Sequence, residues 1–175
     1  GVVRVNPARV NLRPFVERMH GEFEPAARSK GLALTLSCEV DGAVETDPML
    51  LERIVRNLID NAIKYTDAGR VSLEVSAESD GFVLSVADTG RGIDAVEQAR
   101  VFEEFYQINN PERDRTRGLG LGLAIVKRLA DLLQIRLDMV STPGEGTRFR
   151  LGIAAAGHAA QPAPEARAGQ APLVA

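Results

Sequence analysis

Two asparagines one helical turn apart, Asn57 and Asn61, lie in the run Asn57-Leu58-Ile59-Asp60-Asn61-Ala62-Ile63-Lys64-Tyr65. With Lys64 and Tyr65 they follow spacings of four, three and one, so on a helix they project from neighbouring positions on one side. Asparagine suits a helix interior poorly, because its amide competes for backbone hydrogen bonds. Two of them beside an apolar face therefore ask for a reason. One reason is chemical: an amide oxygen can ligate Mg²⁺ without adding charge, while its NH₂ group bonds a phosphate. Mg²⁺ prefers oxygen ligands and takes several from nucleotide phosphates and water. Lys64 would then answer phosphate charge, and Tyr65 could pack on an adenine. The other reason is a polar helix face making local hydrogen bonds, and this segment alone does not separate the two.

A second candidate is Asp88-Thr89-Gly90-Arg91-Gly92-Ile93, directly after an apolar segment at 82–87. A carboxylate at a strand end can accept a hydrogen bond from an exocyclic amine such as adenine N6. The glycines would let the backbone approach the ring. By itself the pattern also describes a turn. A third is Gly118-Leu119-Gly120-Leu121-Gly122-Leu123, opening an apolar helix. Closely spaced glycines there present free N–H groups and the positive end of the helix dipole to an anion; tight helix packing is the competing explanation. Neither a dinucleotide fingerprint nor a P-loop fits, since no strand immediately precedes the G-x-G-x-G spacing and no G-x-x-x-x-G-K-[ST] occurs.

Between these two lies the polar run Asn109 to Arg117, without an apolar anchor. It reads as a lid whose arginines, Arg117 among them, could meet phosphates on closing, or as a plain solvated loop. Phe102 and Phe105 read as a hydrophobic plug at its base.

These groups need elements to position them. Asn11 can cap a first helix whose Leu12, Phe15, Val16, Met19, Phe23 and Ala26 share a face, with Pro25 expected to kink or break it and Gly31 to end it. A strand over 32–38 follows. Asp47-Pro48 marks the start of the helix that carries the asparagines, with Leu51, Ile54, Val55, Leu58, Ile59, Ala62 and Ile63 toward a core. After the turn Thr66-Asp67-Ala68-Gly69, segments 70–77 and 81–87 alternate as an antiparallel hairpin. A short helix is predicted near 95–105, a long one from about 119 to 133, and strands near 135–140 and 147–153 around the turn Thr142-Pro143-Gly144-Glu145-Gly146. Strands interleaved with helices, including two hairpins, predict an α+β sandwich rather than a doubly wound parallel sheet.

Composition narrows the partners. The chain of 175 residues is 45% hydrophobic and 26% charged, as expected of a globular domain with one core. A net charge of −3 leaves no footprint for nucleic acid or an anionic membrane. No apolar run approaches the roughly 20 residues of a membrane span and no signal peptide precedes the domain, so the expected location is cytoplasmic, compatible with a parent protein anchored in the inner membrane. Cys38, the only cysteine, fits a strand position as a small hydrophobe in a reducing compartment. A first residue other than Met reads as an excerpt of a longer protein. Residues 156–175, rich in Ala, Pro and Gly, read as a linker or disordered tail in which His158 is solvated.

Taken in order, these motifs resemble the N, G1, F and G2 boxes of the ATP-binding domains of sensor histidine kinases, within the wider GHKL superfamily. Thr142-Pro143-Gly144-Glu145-Gly146-Thr147 resembles the last glycine box. The likeness runs from about residue 12 to 153. It implies a two-layer Bergerat-type α/β sandwich, a mixed and mostly antiparallel sheet on about three helices, and ATP and Mg²⁺ as cofactors. It also implies roles. Asn61 is the expected metal ligand, Asn57 supports metal and phosphates, and Lys64 lies near the phosphates. Tyr65 stands against the adenine, with Asp88 on its amine and Thr147 on its edge. Gly90, Gly92, Gly118, Gly120 and Gly122 shape the pocket and lid hinge, and Ile93, Arg117, Leu119 and Leu121 complete the nucleotide-contacting set. Leu119 stands where many members carry Thr or Ser. Lys127 and Arg128 read as surface charges. The implied organisation is a connector-like segment over 1–31, the ATP-binding domain over 32–153, and a tail over 154–175.

Asn57 separates branches of the superfamily. Gyrase-like, MutL-like and Hsp90-like ATPases place a carboxylate at that position, and an amide cannot serve as a general base. Asn57 therefore favours holding ATP for transfer over hydrolysing it. The acceptor is missing: His20 is followed by Gly21 rather than an acidic residue and reads as an ordinary histidine. The resemblance implies upstream dimerisation and phosphoacceptor helices as partners, together with a response regulator or receiver domain. The parent would be a homodimer and this fragment a monomer without appreciable autophosphorylation. The alternatives are an ATP-binding or degenerate signalling module, and a serine-directed anti-sigma kinase.

Overall fold

A computed structural model describes residues 2–104 and 122–157. Residues 105–121, which include Phe105, the expected lid, Arg117, Gly118, Leu119, Gly120 and Leu121, lie outside the described residues, as do 158–175 with His158.

The helix bearing the asparagines, α2, spans Pro48–Lys64. Its start follows from two residues. Asp47 accepts hydrogen bonds from the amides of Met49 (3.0 Å) and Leu50 (3.1 Å), and Pro48 takes the first helical position, where no N–H is needed. Leu51, Ile54, Val55, Leu58, Ile59 and Ala62 are buried, so one face of α2 faces the sheet and its neighbouring helices. The C-terminal carbonyls of Ile63 and Lys64 accept from Lys30 Nζ at 2.7 and 2.9 Å, a cation at the negative end of the helix dipole.

The preceding helix, α1 (Leu12–Ser29), buries Leu12, Phe15, Val16, Met19, Phe23 and Ala27 in the same core. Pro25 does not break it. The single hydrogen bond that the proline removes is offset by burial of Phe23 and Ala27 on either side. Asn11 occupies the capping position but makes no side-chain cap. It is paired with Ala43 in a short strand, and the Leu12 amide donates to Gly42 O at 2.9 Å.

The main sheet has the order β2-β4-β5-β7-β6, built from β2 (Ala33–Cys38), β4 (Arg70–Glu78), β5 (Gly81–Asp88), β7 (Gly146–Ala154) and β6 (Arg136–Thr142). Only β2 and β4 run parallel; the other pairs are antiparallel, so the sheet is mixed. α1, α2 and α4 (Gly122–Leu133) cover one face, which is the expected α+β sandwich. The opposite face is laced by ion pairs Glu74–Arg148, Glu78–Arg136 and Glu78–Arg150. The long arms there roof the central strand, where Val83 and Ser85 are buried despite facing away from the helices. Register decides the site: Val71, Asp88, Thr147 and Ser141 are direct cross-strand partners and form one row on the helix-facing side at the sheet's end.

Two further features depart from expectation. A second sheet pairs β1 (Ala8–Asn11) with β3 (Ala43–Thr46), four-residue strands too short to carry a readable alternation. Val44 also bridges Ala155, so β3 ties the entry to α1 to the end of β7. The helix expected over 95–105 is a single turn, α3 (Ala95–Gln98), after which bonds from Arg100 to Glu97 and from Glu103 to Arg100 span three residues instead of four. Among the described residues no helix is long and apolar enough to cross a membrane.

Candidate functional site

The last two turns of α2 form one wall. Asn57 Nδ2 donates to Arg53 O at 2.9 Å, the local bond that a mid-helix asparagine tends to make. That spends one amide hydrogen and leaves Oδ1 available. A Cβ built on Gly122, the first residue of α4, would stand 3.4 Å from Asn57 Oδ1, 3.7 Å from Asn61 Nδ2 and 3.8 Å from Asn61 Oδ1. The two amides and the start of α4 thus converge on one point. Of the third motif, Gly122 and Leu123 lie within the described residues, and Gly122 meets the first motif there.

Tyr65 caps the C-terminus of α2, its amide donating to Asn61 O at 3.0 Å. Its ring lies under two cations, Arg91 Cζ at 5.0 Å and Lys64 Nζ at 5.8 Å from the centroid. Lys64 is itself exposed.

The opposite wall is the end of β5. Asp88 Oδ1 accepts from the Gly90 amide at 2.8 Å, an Asx turn that folds the chain back on itself. Burial pushes the Asp88 pKa above its ordinary value, against the opposing pull of the Gly90 and Thr147 amides. Gly90 is where the two walls touch. A Cβ there would lie 2.5 Å from Tyr65 O, 2.8 Å from Asp88 Oδ1 and 2.9 Å from Thr66 Oγ1, so no side chain fits. Gly92 is needed for a second reason: its φ is +69° and a Cβ would stand 2.1 Å from Thr142 O. The β6–β7 turn docks on this loop through Gly144 N to Arg91 O at 2.7 Å.

Ile93 is buried, and its amide donates to Ser141 Oγ at 2.8 Å while Gln98 Nε2 donates to its carbonyl at 2.9 Å. Thr147 is buried beside Asp88, with its hydroxyl 2.8 Å from Ser141 Oγ. Phe102 packs edge-on against Phe149 (6.3 Å, 81°), a core contact at the base of the segment that follows.

The described site residues therefore form two groups. Asn57, Asn61 and Gly122 make a polar corner suited to a cation and anionic oxygens. Tyr65, Asp88, Gly90, Gly92, Ile93 and Thr147 make a desolvated corner with a carboxylate acceptor, suited to a flat ring bearing an amine. Three residues belong to the site without having been singled out in the sequence. Ser141 falls between the predicted strand 135–140 and the turn that begins at Thr142, Thr66 opens a predicted turn, and Arg91 stands between two glycines of the second motif with no role of its own. Only the fold reveals that Thr66 is fully buried, its hydroxyl without a hydrogen-bond partner among the described residues.

Residues 46–156 match the family described as histidine kinase-, DNA gyrase B- and HSP90-like ATPase. The sensor histidine kinase RcsC of Escherichia coli (strain K12) is 34% identical over 153 residues, covering 86% of this chain and 16% of RcsC. The virulence sensor protein BvgS of Bordetella bronchiseptica is 38% identical over 174 residues, 94% of this chain and 14% of BvgS. The chain thus spans about a sixth of the length of the curated relatives it matches. Among solved structures, full-length ShkA in complex with AMPPNP superposes with a TM-score of 0.76 at 31% identity, over 89% of this chain and 33% of that one. The catalytic domain of histidine kinase ThkA gives a TM-score of 0.74 at 21% identity, over 85% of this chain and 95% of that one, a likeness of fold.

Proposed function

Because the chain belongs to the histidine kinase-, DNA gyrase B- and HSP90-like ATPase family, as an ATP-binding catalytic domain of the sensor histidine kinase type, we propose that it holds Mg²⁺–ATP for phosphoryl transfer to a histidine carried elsewhere in its parent protein. The observation that carries this reading is the convergence of the Asn57 and Asn61 amides on the start of α4, one turn from the Asp88–Gly90 corner. Asp88 accepts the adenine amine, Thr147 meets the ring edge, and Tyr65 packs on its face. Lys64 lies toward the phosphates; Arg117, Gly118, Leu119, Gly120 and Leu121, which complete the proposed nucleotide-contacting set, lie outside the described residues.

The donor set fits Mg²⁺ in a particular way. Among the described residues no group of three or more His, Cys, Asp or Glu is clustered to hold a metal alone. Two neighbouring amide oxygens suit an ion that keeps its water and takes the rest of its shell from phosphates. Asn61 is the proposed ligand and Asn57 its support. When bound, the metal would neutralise charge on the transferring phosphoryl group. An amide at 57 supplies no general base for water, which favours transfer over hydrolysis.

We assign the nucleotide domain to residues 32–153, entered through α1; β7 runs to Ala154 and Ala155 bridges Val44, so the tail expected from 154 begins beyond that bridge. The parent is a homodimer whose upstream helices supply the phosphoacceptor, and a response regulator or receiver domain takes the phosphoryl group on. The test is labelled ATP incubated with this chain alone and with the parent protein. Acid-labile, base-stable label is expected on the parent and not on this chain; such label on His20 of this chain would contradict the reading.

A further inference from the structure

Ser141 is the residue the site uses most heavily without any assigned role. Its hydroxyl has three neighbours: the Ile93 amide at 2.8 Å, Gly146 O at 3.1 Å and Thr147 Oγ1 at 2.8 Å. A hydroxyl carries one proton and two lone pairs. The Ile93 N–H can only donate, so it takes one lone pair. Gly146 O can only accept, so it takes the proton. One lone pair is left for Thr147, and the Ser141–Thr147 bond therefore forms only with Thr147 as donor. With its own proton committed to Ser141, the Thr147 hydroxyl can offer the purine nothing but lone pairs.

Resting on the reading of Asp88 and Thr147 as the adenine edge, we infer that Ser141 is a specificity-determining, positioning residue: it fixes the Thr147 hydroxyl as an acceptor, so that the corner favours a purine bearing an amine and opposes one bearing a carbonyl at the same place. Thr147 is the direct cross-strand partner of both Asp88 and Ser141, so this polarity is set within one row of the sheet. Asp88 is an acceptor as well. An adenine amine, with two hydrogens, can satisfy two acceptors. The O6 of hypoxanthine faces two sets of lone pairs, and its single N1–H can satisfy only one of the two acceptors, so at least one is left unpaired, a loss that burial makes costly. Without Ser141, Thr147 could turn its proton toward that carbonyl.

The experiment titrates the full chain calorimetrically with ATP and with inosine triphosphate, which has a carbonyl where adenine has its amine. Ser141→Ala is expected to weaken ATP about threefold and to narrow the preference for ATP over inosine triphosphate about tenfold. Ser141→Thr, which keeps the hydroxyl, is expected to restore most of that preference. In a Thr147→Val background, Ser141→Ala is expected to leave the ratio unchanged. Equal weakening of both nucleotides by Ser141→Ala, or no change in either, would overturn the inference while leaving the ATP site standing. Unchanged ATP binding in Asp88→Asn would overturn the underlying reading of the pocket, and this one with it. If the alanine variant does not fold, Ser141→Cys, similar in shape and much weaker as an acceptor, carries the same comparison.

Discussion

Two carboxylates bracket α2, and the fold treats them in opposite ways. Asp47, at its N-terminus, is buried and accepts amides from Asn6 (2.8 Å), Met49 (3.0 Å) and Leu50 (3.1 Å). Those amides, Asn6 first, hold its pKa below the ordinary 3.8. Asp88 lies across the sheet end near the helix's other terminus. Its local amides from Gly90 and Thr147 are outweighed by burial, and its pKa rises above 3.8. A carboxylate whose lone pairs are filled by its own backbone supports the fold. One that is desolvated with accepting capacity to spare is suited to a ligand's donor.

Removing each charge should separate the two roles. The largest effect is expected from Asp88→Asn. Losing a charge-assisted hydrogen bond to the adenine amine should weaken ATP about 10- to 100-fold by calorimetry. The melting temperature should hold or rise, because the amide escapes the desolvation that a carboxylate suffers there. A fall in melting temperature with ATP affinity intact would reverse the assignment. Asp47→Ala should do the opposite, costing about 1–2 kcal/mol in urea unfolding while ATP affinity of the folded protein changes by less than about twofold.

Acid sharpens the contrast. The folded pKa of Asp47 is lowered, so its stabilisation is fully present above 3.8 and is lost as pH falls through the folded value. The folded pKa of Asp88 is raised, so its ionisation costs stability at neutral pH; that cost is relieved as pH falls through the folded value and is gone below 3.8. Urea titrations of wild type and Asp47→Ala should therefore differ by a constant amount down to about pH 5 and converge only below 3.8. Wild type and Asp88→Asn should instead converge on the way down from neutral pH.

The smallest effect lies away from both acids. Gln134 follows α4 with φ 57°, and the Ile135 amide returns to Ala130 O at 2.9 Å, the closing bond of a helix-ending motif that favours glycine. Gln134→Gly should raise stability by about 0.5–1 kcal/mol and leave nucleotide affinity alone. A change in affinity would mean that the end of α4 is coupled to the site.

What could be read from the residues follows their physics. Asp47-Pro48 announced its helix because capping chemistry is local, and the α2 face was legible because burial imposes a period of 3.6. The asparagine and glycine boxes were legible because each breaks a rule for its element. Ser141 and Thr66 break no local rule, and their significance lies in a cross-strand register and a helix-end contact that no spacing encodes. β1 and β3 were hidden for a related reason. Four residues cannot show alternation, and their pairing is set by α1 and the end of β7. The parallel pairing of β2 with β4 likewise depends on the crossover through α2 that joins them along the chain, not on either strand's composition.

The most direct test of this site is ATP titrated into the chain by calorimetry with Mg²⁺ and with chelator, for wild type and Asn61→Ala. Wild type is expected to bind ATP more tightly with Mg²⁺, and Asn61→Ala to lose that increment while keeping the metal-independent heat that Asp88 and Thr147 supply. Absence of heat from the wild-type chain, or an increment from Mg²⁺ untouched by Asn61→Ala, would contradict it.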